Sequence, residues 1–300
     1  MDYIRSNYFS RVPDFLALAK PRVMSLAIFT AVVGMMTAPG SINITMAIFA
    51  IIAIAVGAGA AGALNMWYDA DIDAMMSRTA NRPIPSGRLS SREALLFGLI
   101  SAALSIVLLA ITTNLFAALL LMITILFYSV IYTMWLKFLT PHNIVIGGAA
   151  GALPPLIGCA AVTGSVTIEG LILFMIIFLW TPPHFWALAL YKFREYENAN
   201  IPMMPIVAGR QSTQRQVFVY SLALGPVGMM PWMIGSASFF YGIFAAIIGS
   251  IFIWHTWKVL TVNPNDPSFG NEKKLFVYSI RYLFWIFGAL LIDSIISSLV

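Results

Sequence analysis

The sequence predicts an all-α, polytopic membrane protein with nine transmembrane helices, and three observations carry that prediction. Of the 300 residues, 60% are hydrophobic and 10% are charged, whereas a soluble domain carries about 25% charged residues to keep its surface wet. Nine apolar runs have the length that crosses a bilayer, about 20 residues. The seventeen Lys and Arg residues lie in the leader, in alternate loops, or within a turn or two of those loops, the arrangement that membrane topology imposes on cations.

In chain order the runs are 18–38, 43–66, 93–113, 115–135, 143–163, 168–190, 216–235, 238–258 and 275–298. The third and fourth are divided only by Thr112, Thr113 and Asn114. Merging them would destroy the alternation of cations, so the count stays at nine. The same rule puts the N-terminus in the cytoplasm and the C-terminus on the periplasmic side. The long loops 67–92 and 191–215 then share the cytoplasmic face, where a working site would open. The first apolar run is followed at once by others and ends in no small-residue cleavage motif, so it reads as a span, not a removable signal. A bacterial inner membrane is the simplest home, and residues 1–300 read as one membrane-embedded domain.

Several features set the packing. Gly57, Gly59 and Gly62 in the second span, and Gly147, Gly148 and Gly151 in the fifth, are expected to let backbones approach. Pro154, Pro155, Pro182 and Pro183 are expected to kink or end spans five and six and open a cavity. The two long loops stand four spans apart, a hint of a four-helix repeat. Cys159 is the only cysteine, which excludes an internal disulfide and a thiolate metal cluster. The net charge of +5 sits in short loops between apolar runs, so it signals topology and anionic headgroups or phosphates, not nucleic acid.

The stretch with the most chemistry follows the second span. If that helix continues, Asn65, Asp69 and Asp73 recur every four residues and share one face. Two carboxylates a turn apart repel each other, and ionisable groups at membrane depth are costly unless they work. A hard divalent cation would explain them: Mg²⁺ takes oxygen ligands and is held by one or two carboxylates plus substrate phosphates. Asp71 falls on another face. Arg78, Arg82 and Arg88 follow, and guanidinium groups bind phosphate oxygens in bidentate fashion. Carboxylates for a metal, then arginines for the same anion, read as a diphosphate site. His184, near the cytoplasmic end of the sixth span, and His142, opening the fifth, could each ligate a metal or simply bond a carbonyl released by a neighbouring proline. His255 reads as structural.

Asn65-x-x-x-Asp69-x-x-x-Asp73 resembles the first aspartate motif of the UbiA superfamily of intramembrane prenyltransferases. The string from Asn65 to Gly87 resembles the haem-farnesylating branch of that superfamily, the haem O synthases. So do Lys20-Pro21-Arg22, the run from Tyr132 to Pro155, Thr181-Pro-Pro-His184-Phe-Trp186 and Ile201-Pro-Met-Met-Pro205. The likeness spans nearly the whole chain in order. It implies nine helices around a central cavity and Mg²⁺ as cofactor. It also implies farnesyl diphosphate as donor and haem B as acceptor, with haem O as product, and makes His184 and His142 candidate contacts or iron ligands for that haem. Where many members carry a second Asp-x-x-x-Asp, this chain reads Tyr191-Lys192-Phe193-Arg194-Glu195-Tyr196-Glu197. Glu195 stands in for the usual acid as a metal ligand, Lys192 and Arg194 are placed to meet the diphosphate, and Asn200 stands where glycine is expected. A quinone-precursor prenyltransferase is the nearest competing reading, and a secondary transporter the next. A haem A synthase or oxidase-assembly partner stays open.

Overall fold

The computed structural model describes residues 11–263 and 266–299. Among them every regular element is helical: α1 (Val12–Leu18), α2 (Pro21–Thr37), α3 (Ile44–Tyr68), α4 (Ala70–Met75), α5 (Ser91–Thr112), α6 (Leu115–Leu139), α7 (Asn143–Thr163), α8 (Ile168–Tyr191), α9 (Phe193–Asn198), α10 (Met204–Val207), α11 (Gly209–Met233), α12 (Phe239–Leu260) and α13 (Gly270–Leu299).

Each of the nine expected spans is a helix, but not all are equally suited to lipid. Seven are long and apolar enough to cross a membrane by themselves: α3, α5, α6, α7, α8, α12 and α13. An eighth is the pair α1 and α2, bent by 56° at the break between them. The ninth, α11, is long enough, but its polar first turns, and Gln216, Gly225, Pro226, Gly228 and Pro231 beyond them, dilute its apolar content. The expected count therefore holds for helices, while eight meet the requirement for a span.

Local chemistry explains where the helices begin. Ser90 and Glu93 form a reciprocal capping box that starts α5, satisfying two otherwise orphan amides. At the break left between the third and fourth runs, α5 ends at Thr112 and Asn114 caps α6, accepting from the Ala117 amide at 2.8 Å. The Asn114 side-chain amide also donates to Ala160 O at 2.8 Å, tying this hairpin to α7. Asn43, Thr167 and Ser238 cap α3, α8 and α12 in the same manner. Along α5 the apolar residues divide into two faces. Ile100, Leu104, Val107 and Ile111 are exposed, whereas Ala94, Gly98, Ser105 and Leu109 are buried. An exposed stripe of that apolarity is stable only against acyl chains.

The core has two parts separated by α2 and α7, each of which contributes to both. One gathers α3, α5 and α6 around Ile54, Leu64, Leu109 and Leu121; the other gathers α8 and α11–α13 around Trp186, Phe252, Tyr282 and Phe287. The central α2–α7 crossing is the tightest. A Cβ on Gly34 would lie 2.1 Å from Pro155 O, and one on Gly158 would lie 2.1 Å from Ala31 O. Of the glycines singled out in sequence, Gly147 seats the Tyr132 ring, while nothing lies within 4 Å of a Cβ on Gly151. The paired prolines do not end their helices: α7 and α8 run continuously through Pro154, Pro155, Pro182 and Pro183. Close packing on neighbouring helices holds the backbone path where proline removes its own hydrogen bonds.

A smaller apolar cluster joins the two long loops. Ile72 and Met76 of the first pack with Tyr196, Ala199, Ile201 and Met203 of the second, against Ile144 and Ala189. Asn200, between them, has φ 52°, a left-handed conformation that asparagine tolerates better than most residues. A Gly34→Ala substitution is expected to cost about 1–3 kcal/mol through overpacking and to lower the thermal midpoint of detergent-solubilised protein. Gly151→Ala, in open space, should leave the midpoint unchanged.

Candidate active site

The break between α3 and α4 builds the site. Asp69 sits at the junction, with φ −83° and ψ 5°, yet the hydrogen-bond ladder continues across it. Asp69 N donates to Asn65 O at 2.9 Å and Asp73 N to Asp69 O at 2.8 Å. The three side chains expected on one face are therefore kept together. All are buried, at 6%, 4% and 4% exposure for Asn65, Asp69 and Asp73, whereas Asp71 is exposed.

Three cations from three distant segments answer them. Lys20 Nζ donates to Asn65 Oδ1 at 2.6 Å, Lys137 Nζ pairs with Asp69 Oδ2 at 2.8 Å, and Arg82 pairs with Asp73 Oδ2 at 2.5 Å. Asn65 Nδ2 donates to Asp69 Oδ2 at 2.8 Å and to Thr133 Oγ1 at 3.1 Å. Two cations pair with the two carboxylates and the Lys20 amine adds a third nitrogen donor beside them, a set that suits an anionic ligand. Asp69 Oδ1 is buried with no hydrogen-bond partner.

The backbone is unusual at two of these places. Lys20 has φ 50° and ψ 53°, a left-handed conformation that costs a residue with a Cβ roughly 1–2 kcal/mol. It lies at the 56° bend between α1 and α2 and aims its ammonium inward. In α6, residues Phe127–Leu136 wind as a π-helix, a wider turn that tends to mark functional positions. Thr133 lies within it, donating to Tyr128 O five residues back at 2.8 Å while accepting from Asn65. Lys137 follows one turn later.

The remaining expected residues are distributed unequally. Arg78 is exposed and lies near Tyr196 of the second long loop. Burial raises the Tyr196 hydroxyl above its ordinary pKa, and the Arg78 charge partly offsets that rise. Lys192 is paired with Glu195 at 2.6 Å. Among the described residues no three acids, histidines or cysteines gather into one metal-binding group, so Glu195 does not join Asp69 and Asp73. Arg194 is exposed and lines a separate cavity of about 310 Å³ with Phe193, Arg210 and Phe269. Arg88 is bound to Asp14 at 2.7 Å and is part of the loop's scaffold. His142 is exposed at the start of α7. His184 stands between α8 and α13, its Nδ1 2.7 Å from Ser279 Oγ; none of these contacts is shared with the acid cluster.

Lys20, Thr133 and Lys137 were not singled out as site residues in the sequence. The signal available was a lone lysine one turn beyond a threonine at the loop end of the fourth span, and a lysine before a proline at the start of the first. Neither is distinctive without the contact to Asn65 and Asp69.

Buried carboxylates and an amide, answered by ammonium and guanidinium groups at one end of a lipid-embedded helical bundle, define a membrane enzyme built for an anionic substrate group. Residues 27–280 match the UbiA prenyltransferase family, and the chain belongs to that family. Within it the similarity is specific. Protoheme IX farnesyltransferase 2 of Mesorhizobium japonicum is 60% identical over 283 residues, covering 94% of this chain and 90% of that protein. The protoheme IX farnesyltransferase of Agrobacterium fabrum is 56% identical, covering 93% and 88%. Solved structures share the fold at low identity. A digeranylgeranylglyceryl phosphate synthase superimposes with a TM-score of 0.79 at 19% identity, covering 95% of this chain and 99% of that one. A UbiA homologue from Archaeoglobus fulgidus bound to GPP and Mg²⁺ gives 0.64 at 16% identity, covering 92% and 99%.

Lys137→Met would leave the buried Asp69 carboxylate without its cation, and is expected to cost on the order of 3 kcal/mol. Adding Asp69→Asn should restore most of that loss, as read by thermal unfolding of the two variants in detergent micelles.

Proposed function

We propose that this chain transfers the farnesyl group of farnesyl diphosphate to a vinyl group of haem B, giving haem O with a hydroxyethylfarnesyl side chain. The observation that carries the reading is the buried row Asn65, Asp69 and Asp73 with its surrounding cations. The names of the relatives supply the two substrates.

Asn65, Asp69 and Asp73 would hold Mg²⁺, and the unpartnered Asp69 Oδ1 is an oxygen of the kind such an ion takes. Two carboxylates do not fill its coordination, which fits an ion completed by water and by the substrate's own phosphates. When bound, the metal supplies Lewis-acid stabilisation of the departing pyrophosphate. Glu195, held by Lys192 on the second loop, stands outside this set.

The chain's own cations do the rest of the electrostatic work. Arg82, Lys137 and Lys20 are already in place around the carboxylates, with Arg78, Lys192 and Arg194 on the two loops above. Fixed positive charge aimed at oxygens that gain charge in the transition state lowers the barrier without reorganisation. The C1–O bond of the farnesyl diphosphate breaks, its electron pair leaves with pyrophosphate, and the allylic cation remains among apolar helices. A haem vinyl carbon attacks that cation. Water adds to the resulting cation next to the porphyrin and loses a proton, giving the hydroxyl. His184 is the ligand we assign to haem iron, and His142 a second acceptor contact at the rim. The chain acts as one catalytic unit in a bacterial inner membrane, with the loop face and N-terminus cytoplasmic and the C-terminus periplasmic.

Asp69→Asn and Asp73→Asn should each abolish haem O formation in membranes supplied with haem B, farnesyl diphosphate and Mg²⁺, while the protein still inserts. Mass analysis of extracted haem reads the product; near-normal turnover in both variants would refute the carboxylate assignment. Chelating divalent metal from the wild-type membranes should stop product formation, and added Mg²⁺ should restore it.

A further inference from the structure

His184 is held more elaborately than a packing histidine requires. Trp180 stacks on its ring at 4.3 Å and 16°, and Phe276 at 4.8 Å and 21°. Two rings that close and that nearly parallel to a third lie on its opposite faces, so both faces of the imidazole are covered. Phe185, exposed, stands at right angles 5.3 Å away. One buried residue of α13, Ser279, tethers both members of the Trp180–His184 pair, which lie one turn apart on α8. Its main-chain oxygen accepts from Trp180 Nε1 at 2.8 Å, and its side chain meets His184 Nδ1 at 2.7 Å.

The protons at this contact can be counted. A serine hydroxyl has one proton and two acceptor lone pairs. Ser279 Oγ donates that proton to Phe276 O at 2.7 Å. With its proton on that carbonyl it accepts from His184, and Nδ1 then carries the imidazole proton. A neutral imidazole has one N–H, and the other nitrogen keeps its lone pair. With both faces covered and Nδ1 engaged, the ring's remaining reactive atom is Nε2, on the edge away from Ser279.

We infer that Ser279 is a positioning residue that fixes His184 as the Nδ1–H tautomer and presents Nε2 as an in-plane ligand for the iron of the haem acceptor. The inference rests on the function proposed above and adds to it how the acceptor is oriented. An N–H donated to a neighbouring acceptor makes the other nitrogen a stronger donor to metal and fixes the ring's angle, and loss of such a partner commonly costs 10–100-fold in metal affinity. Iron ligation by His184 would set this ring edge-on to the face of the porphyrin, with the stacked Trp180 and Phe276 preventing rotation.

The test uses the full chain in detergent, titrated with haem B in the absence of farnesyl diphosphate. Absorption spectra give the affinity, and resonance Raman of the ferrous complex gives the iron–imidazole stretch. Wild-type protein should show the stretch and His184→Ala should lose it. Ser279→Ala removes the hydroxyl but keeps the main-chain oxygen that holds Trp180. It should lower the stretching frequency and weaken haem binding about tenfold, and Ser279→Thr should restore both. An unchanged frequency and affinity in Ser279→Ala, with the band lost in His184→Ala, would overturn the inference while leaving His184 as ligand. A band that survives His184→Ala would instead remove the ligand assignment, leaving farnesyl transfer to be judged by its own assay. Should Ser279→Ala fail to fold, Ser279→Cys, similar in size and a weaker acceptor, should shift the frequency in the same direction; no shift there also overturns it.

Discussion

Burying two carboxylates one helical turn apart at the edge of a bilayer is costly, and the arrangement around Asp69 and Asp73 is organised by that cost. An isolated ionised carboxylate cannot leave water without a partner. Here each is given a cation, Lys137 from the end of α6 for Asp69 and Arg82 from the loop after α4 for Asp73, while Lys20 from the bend before α2 holds the neighbouring Asn65 amide. Compensation therefore doubles as architecture. The site can exist only when four separate parts of the chain meet, and their meeting is in turn favoured by the charges that need each other.

The conformations that deliver those cations are themselves unfavourable. Lys20 adopts a left-handed backbone directly before a proline, and α6 widens into a π-helix where Thr133 reaches Asn65. Local strain of this kind persists only where the surroundings over-determine it. The surroundings here include the close α2–α7 crossing at Gly34 and Gly158, which fixes the helix that Lys20 precedes. The apolar contact between Met76 and the second long loop then brings Arg78 near Tyr196, so both loops cover one end of the bundle. Fixed cations beside two packed loops are what the ionisation of an allylic diphosphate, as proposed, would draw on.

The region we propose for the acceptor follows a different logic. His184 makes no charged contact. It is confined by aromatic rings and one hydroxyl between α8 and α13, apart from the carboxylates and their cations. Separating a charged donor site from an apolar acceptor site suits two substrates of opposite character, one a water-soluble head on a lipid tail and the other a flat, hydrophobic macrocycle.

Much of this was legible in the sequence, because the relevant signals are local. Apolar length and the alternation of cations located the helices, eight of the nine expected spans meeting the requirement for lipid when α1 and α2 are taken as one, and Thr112 to Asn114 marked a real hairpin. The four-residue spacing placed Asn65, Asp69 and Asp73 on one buried face with Asp71 off it, since helical periodicity depends on nothing beyond the helix itself. The prolines misled: local chemistry argues for breaks in α7 and α8, and neighbouring helices override it. The partners of the carboxylates were equally out of reach. Lys20 and Lys137 lie 49 and 68 positions from Asp69, and nothing in a lysine's neighbours along the chain says which buried charge it will meet. The spacing of like residues was settled by the sequence, whereas the pairing of opposite charges was decided only by the tertiary structure, because electrostatic compensation acts through space between segments whose approach is set by how their helices pack.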